Sequence, residues 1–242
     1  MSAPLRSLGI ILAMLLLGGC ATTEQPDPLE RINRVTFSFN QTVDDYIIAP
    51  PARVYRDNVP SPVQTGVRNV FRNLGDAWSA VNLMLQGRPA EGIESLMRFS
   101  VNTVLGFGGL LDWASEFGIQ RHTEDFGQTL GRWGVGPGAY LVLPILGPST
   151  VRDTAALPLD FQAATYFYPD DSAAFIGVTA LRVISVRADL LSSSKLLDEI
   201  ALDKYLFVRD GFLQRRQSQI FDGRPQDDDS DEQAPSDGGA AR

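Results

Sequence analysis

Residues 61–85 read SPVQTGVRNVFRNLGDAWSAVNLML, and their spacing decides the fold class. Val63, Val67, Val70, Phe71, Leu74, Trp78, Val81 and Leu85 recur at steps of three and four, with a single step of one, which is a helical period. Ser61-Pro62-Val63-Gln64 reads as a capping box that opens the helix, and Gln86-Gly87-Arg88-Pro89 stops it. Toward the N-terminus, Asp27 as N-cap, Pro28 at the first helical position and Glu30 three residues on predict a helix to about Ile48, ending before Pro50-Pro51. Toward the C-terminus a helix is expected over 90–105, with Ile93, Leu96, Met97, Ser100, Val101 and Val104 on one face and Phe99 on the other. Further helices are expected from Ser149, over 173–192 and over 203–221. Strand signals are few and no internal repeat is visible, so the class is all-α.

Two stretches are more apolar than a surface helix allows. The long helix is apolar on more than one side from Trp78 to Leu85, and residues 99–113 are apolar nearly throughout. Helices of this kind are either deeply buried or facing lipid. Burial is the usual outcome in a globular protein, and periodicity alone leaves both open. The segment Tyr140–Gly147 is too short to span as a helix, and Pro144 argues against a central strand.

The first twenty residues set the compartment. Arg6, an apolar run from Leu8 to Leu17 and then Gly18-Gly19-Cys20 have the layout of a secretory signal. The run is about half of the roughly 20 apolar residues that a spanning helix needs. Cys20 is the only cysteine, and an unpaired cysteine in an exported chain calls for an explanation. Cleavage before it and lipidation of its thiol supply one, since stable anchoring takes at least two apolar signals. Ala21 in place of aspartate favours the outer membrane. The expected division is a signal peptide over 1–19, a lipidated tether over 20–26, a helical body over 27–221 and an acidic disordered tail over 222–242.

Charge and composition exclude several functions. The chain carries a formal −8, with its acidic residues concentrated in the tail, and has no basic patch for nucleic acid. One histidine and one cysteine rule out a His- or Cys-rich zinc site. His122 has no Gly-x-Ser-x-Gly elbow to work with, so it reads as a loop or capping residue. Asp112, Glu124 and Asp125, near Arg121 and Arg132, read as ion pairs that fix a loop. The run Gly131–Gly138 lacks the ending of a phosphate loop and is expected to let backbone pack closely. Asn69, Asn73, Asn82 and Asn102 lie on or beside apolar helical faces. There they either bond a neighbouring helix or line a polar strip beside an apolar one, as a phospholipid would need.

Several blocks in order resemble the MlaA (VacJ) family of outer-membrane lipoproteins. They include Asp27-Pro28-Leu29-Glu30, Asn73-Leu74, Leu85-Gln86-Gly87, Arg98-Phe99, Gly106-Phe107-Gly108-Gly109 with Asp112, Glu124–Gly131, Trp133-Gly134-Val135-Gly136 and Leu141-Val142-Leu143-Pro144. The resemblance covers almost all of residues 20–221. It implies an all-helical, ring-shaped body seated in the periplasm-facing leaflet of the outer membrane around an amphipathic channel. It further implies a flexible hairpin matching Gly106–Gly118, in which Gly106, Phe107, Gly108, Gly109 and Asp112 would gate the channel. Asn73, Asn82 and Asn102 are then candidates for channel lining or for helix contacts. The implied partners are a trimeric porin and a periplasmic carrier of the MlaC type. Phospholipid is the implied ligand, removed from the outer leaflet to maintain lipid asymmetry, with no cofactor, no metal and no bond made or broken. The chain departs from many members at Gly75-Asp76-Ala77, where a Glu-Pro is usual, and this leaves the long helix less firmly kinked.

A structural lipoprotein that scaffolds porins and a phospholipid hydrolase using His122 with Asp112 or Asp125 are the competing readings. A hydrolase would lose its activity in His122→Ala. A lipid channel would keep outer-leaflet phospholipid at its normal level in that variant, as thin-layer analysis of surface lipid would report.

Overall fold

The computed structural model describes residues 27–221. The signal segment, Cys20 with its tether and the acidic tail lie outside the described residues. Helix α1 covers Glu30–Val43 and passes through a π-helical turn, Asp44–Ile48, into α2, Ala49–Asn58. Helices α3, Ser61–Leu85, and α4, Pro89–Val104, form a helical hairpin. A short α5, Trp113–Glu116, and α6, Phe126–Arg132, precede a β-hairpin of β1, Tyr140–Leu143, and β2, Gly147–Thr150. The chain then ends in α7, Val151–Thr165, α8, Ser172–Ile200, and α9, Lys204–Ile220.

Several boundaries differ from the sequence reading: α8 runs to Ile200 where the expected helix ended at Ser192, and four other differences are explained by specific bonds. The prolines at 50 and 51 do not end the first helix, because the Ala49 N–H reaches back five residues to the Asp44 carbonyl. That widened turn absorbs the two missing N–H groups, as π-bulges commonly do. Asp27 does not cap α1. Its carboxylate takes the Asn33 side chain at 3.0 Å and the Tyr205 hydroxyl. Gln64 does not close a capping box; its amide caps the previous helix, donating to the carbonyls of Val59 and Arg56 at 2.7 and 3.0 Å. The helix expected from Ser149 begins instead at Val151, behind Thr150, whose hydroxyl accepts the Asp153 N–H.

The β-hairpin is the larger departure. Tyr140 pairs with Thr150 and Val142 with Pro148, in a ribbon of two strands. Both strands are edges, so Pro148 forfeits no ladder bond that a central strand would need. The ribbon is tied to α1 through Asn33, whose amide donates to the Tyr140 carbonyl at 3.0 Å and accepts from Val142 N–H at 2.9 Å. Asn40 repeats the motif with Leu143 and Ile145. Two side-chain amides on one helix face thus continue the sheet.

Burial runs opposite to that of a water-soluble domain. Apolar clusters are small: Ala49, Ala52, Ala188 and Leu191 between α2 and α8, and Tyr140, Val142 and Tyr205 between the ribbon and α9. The buried set otherwise includes Asn73, Asp76, Asn82, Ser95, Arg98 and Asn102. Ile93, Leu96, Met97 and Val104, the apolar face of α4, are exposed, and so are Val63, Val81, Met84 and Leu85 on α3. For these helices the choice that periodicity left open falls to exposure of the apolar face: the polar stripe Ser95, Arg98, Asn102 turns inward. Among the described residues no helix is long and apolar enough to cross a membrane.

Ion pairs do the joining that an apolar core would do elsewhere. Arg216 of α9 clamps Asp125 through two bonds of 2.6 Å and reaches Asp153 at 2.9 Å. Desolvation would raise the Asp125 pKa, but the Arg216 bonds and charge outweigh it and hold the carboxyl below its usual range. Gly127 makes the clamp possible, since a Cβ there would lie 2.5 Å from the Arg216 guanidinium. Arg187 of α8 holds Asp44 by two bonds of 2.7 Å. Asn33→Ala would strand a buried carbonyl and a buried N–H, so we expect it to lower unfolding free energy by about 2–3 kcal/mol. Thermal melting of the detergent-solubilised chain against wild type checks this.

Candidate functional site: an amphipathic cavity braced by a buried ion ring

Helices α3, α7, α8 and α9, with the loop 121–125, surround a cavity of about 860 Å³. Its walls mix aromatic and aliphatic side chains, such as Phe71, Trp78, Tyr168 and Val186, with arginines and carboxylates. At one side Leu74 and Trp78 are shared with an apolar groove of about 350 Å³, whose other walls include Val81, Leu159, Tyr166 and Phe167. At the other side Arg121, Thr123, Glu124 and Arg215 are shared with a polar cavity of about 780 Å³ against α9. The three spaces therefore adjoin one another and grade from apolar, through mixed, to polar. A molecule with acyl chains and a charged head matches that order, because each part meets surroundings that do not penalise it.

Trp78 sits where groove and cavity meet, and its indole N–H donates to Asp160 at 2.7 Å. The same carboxylate oxygen accepts the Phe126 N–H, which opens α6, at 2.9 Å. Burial raises the Asp160 pKa, opposed by those two bonds.

Four charged groups brace the wall. Asp76 of α3, Arg98 of α4, Asp112 at the start of α5 and Arg121 of the loop alternate in sign around a closed ring. Arg98 lies 3.5 Å from Asp76 and 2.8 Å from Asp112, while Arg121 lies 3.2 Å from Asp76 and 3.3 Å from Asp112. Arg98 is 1% exposed and Asp76 3%, so the ring is dry on the α3–α4 side. Arg98 also donates to the Ile119 carbonyl and to Ser115 Oγ, fixing the far end of the loop. Desolvation pushes Asp76 up to about 6 against the attraction of Arg121 and Arg98. Asp112 is also desolvated, but hydrogen bonds from Ser115 and Asn102 and the Arg98 charge outweigh this and hold it at about 2. Desolvation likewise lowers Arg121.

The residues singled out from sequence fall beside this wall. Asn102 bridges Asp112 and the Ala114 N–H at 2.9 Å each. Asn73 donates to Thr103 and Asn82 accepts from Thr129. All three are buried contacts between segments; other side chains line the cavity. Gly106 and Gly109 are packed positions: a Cβ added at Gly109 would lie 2.7 Å from Asn73 Cβ. Gly108 has a positive φ of 74° and its N–H caps the Thr103 carbonyl. Phe107 adopts φ 53°, sparsely populated for a residue with a side chain, and is 74% exposed. Asp112 caps α5 through Ser115 and is the ring's link to the hairpin. Cys20 lies outside the described residues. His122 pairs with Glu94 at 2.9 Å, whereas Asp112 and Asp125 are held by arginines. Glu124 joins Arg88 and Gln86.

Sequence reasoning missed Asp76, Arg98 and Arg121 as a unit. A usable signal existed: Gly92, Ser95, Arg98 and Asn102 recur at helical spacing as a small and polar stripe opposite the apolar face of α4.

An exterior of exposed apolar helix faces, an interior of polar networks and an amphipathic cavity define an inside-out helical body suited to apolar surroundings. A family model described as MlaA lipoprotein matches residues 25–219. The chain is 40% identical over 224 residues to the intermembrane phospholipid transport system lipoprotein MlaA of Escherichia coli (strain K12), covering 87% of each. To the protein of the same description from Haemophilus influenzae it is 33% identical over 233 residues, 90% of this chain and 91% of that one. A solved chain reported as a structural basis for maintenance of bacterial outer membrane lipid asymmetry matches with a TM-score of 0.68 at 38% identity, over 80% of this chain and 98% of that one. This chain belongs to the MlaA lipoprotein family.

Removing one member of a dry ion ring strands its partners, so Arg98→Leu should lower stability by about 3–5 kcal/mol. The ring also gives a signed pH dependence. Asp76, raised when folded, contributes stability that is present below about pH 4 and lost as pH rises through about 6. Asp112, depressed when folded, contributes stability present above about pH 4 and lost as pH falls through about 2. Asp76→Asn should therefore flatten the melting temperature between pH 4 and 6 and leave the acid limb intact.

Proposed function

We propose that this chain is the outer-membrane lipoprotein of a retrograde phospholipid transport system. It takes phospholipid from the outer leaflet through the amphipathic cavity and hands it to a periplasmic carrier, preserving lipid asymmetry. The observation that carries this is the gradation from apolar groove to mixed cavity to polar cavity across adjoining spaces, in a body whose helices turn apolar faces outward. Lipidation at Cys20 would hold the body at the periplasm-facing leaflet. Exposed apolar faces on α3 and α4 would rest among acyl chains, where a water-facing protein would not keep such a patch.

Two partners complete the reading. A trimeric porin would seat the body in the membrane, and a carrier of the MlaC type would receive lipid at the polar cavity beside α9. The chain's own part is passive: it binds, orients and screens the head while the tails stay in apolar surroundings. The hairpin at Gly106–Gly118 would act as a moving element beside the cavity: Asp112 ties it to the ion ring that braces the cavity wall, and Asn69, Asn73 and Asn102 bond or pack against it.

Gly108→Pro tests that role directly. Proline cannot adopt φ 74° and has no N–H to cap the Thr103 carbonyl. A deletion strain should accumulate outer-leaflet phospholipid; wild type should reverse this and Gly108→Pro should not. Normal surface lipid in the deletion strain would put the porin-scaffold reading first.

A further inference from the structure

Charge pairing within the cavity is uneven. Its carboxylates are each engaged: Asp76 by Arg98 and Arg121, Asp189 by Arg68 at 2.8 Å, Asp125 by Arg216, Glu124 by Arg88, and Asp160 by the Trp78 indole and the Phe126 N–H. Its arginines are not. Arg72 of α3, Arg182 of α8 and Arg215 of α9 line the same space, and among the described residues none of the three has a carboxylate partner. Arg182 touches only the neutral Tyr168 hydroxyl, at 3.4 Å. They come from three different helices, so their convergence is a product of the tertiary fold.

We propose that Arg72, Arg182 and Arg215 form a phosphodiester site that holds the head of the passing phospholipid. The inference rests on the transport reading above and names the group that the cavity recognises. Guanidinium forks match phosphate oxygens in geometry and charge, and such bonds are about twice as strong as neutral ones. Phe71, Tyr168 and Val186 supply apolar walls to the same space; Arg182 is half-buried, and Arg72 and Arg215 are exposed and so accessible to an entering headgroup. Arg72 also lowers the pKa of Arg121, which places its charge within electrostatic reach of the ion ring. An arriving phosphodiester would neutralise cations that the protein leaves uncompensated. Its acyl chains would extend past Leu74 and Trp78 into the apolar groove. A neutral diacylglycerol fits the groove equally well but gives the arginines nothing to hold.

The full-length chain in neutral detergent is titrated with short-chain phosphatidylglycerol, phosphatidylcholine and diacylglycerol of equal acyl length, and with inorganic phosphate, followed by native mass spectrometry. Both phosphodiester lipids should bind at least about tenfold more tightly than diacylglycerol. The triple variant Arg72→Gln, Arg182→Gln, Arg215→Gln should bring them to the diacylglycerol level while leaving diacylglycerol binding and melting temperature unchanged. The corresponding triple lysine variant should keep part of the difference. Equal binding of all three lipids by wild type, or a difference that survives the glutamine variant, would overturn the site while leaving lipid transport standing. Inorganic phosphate binding as tightly as the lipids would make this a site for free phosphate and overturn the headgroup assignment. Binding of none of the lipids would overturn both the site and the transport reading.

Discussion

The Arg98 guanidinium is the constraint on which the rest of the structure depends. It is almost wholly buried, and its charge is balanced by Asp76 on α3 and Asp112 at the foot of α5. Because a buried, unpaired arginine is far costlier than a paired one, α3, α4 and α5 can sit together only in the arrangement that closes the ring with Arg121. That closure fixes one wall of the cavity, since Asp76 and Arg121 line it. It also fixes the base of the glycine-rich hairpin, since Asp112 caps α5 and Asn102 bonds the Ala114 N–H. Wall and hairpin are thus coupled by one electrostatic unit.

This mode of assembly suits an inside-out protein. In apolar surroundings there is little to gain by burying a leucine that is already among hydrocarbon, and helices are held together by close packing and polar contacts. The Arg216 clamp, the Asn33 bridge to the β-ribbon and the Arg187–Asp44 pair are of that kind. The small apolar clusters at Ala49–Ala188 and Tyr140–Tyr205 lie where α8 and α9 meet the rest of the chain. The π-turn before Pro50 lets α1 and α2 bend around that contact without ending the helix.

Much of the fold was legible in the sequence. The periods of α3 and α4, the stop at Gly87 and the helices after Thr150 follow from local pattern, because a helix is specified by neighbours three and four residues apart. The β-ribbon was not legible, because its four-residue strands are held by Asn33 and Asn40 from more than a hundred residues earlier. Nor was the role of Asp27, which has the sequence neighbours of a cap and the spatial neighbours of an anchor. Asn73, Asn82 and Asn102 were open to two readings, and their partners on other segments place them in contacts between segments. The resemblance to a known family located the hairpin glycines; their packing against Asn73 and the Asn102 turn belongs to the tertiary structure.

What the sequence determined by itself is the longer helices and the family. Both are written in residues close together along the chain. What only the tertiary structure decided is which way the helices face. The apolar stripe of α4 has the same period whether it points inward or outward, and the periodicity is blind to that rotation. The choice is made by Ser95, Arg98 and Asn102 on the opposite face. Their partners lie on α3, α5 and the following loop, and a charge that must be paired outweighs an apolar stripe that can be left outside.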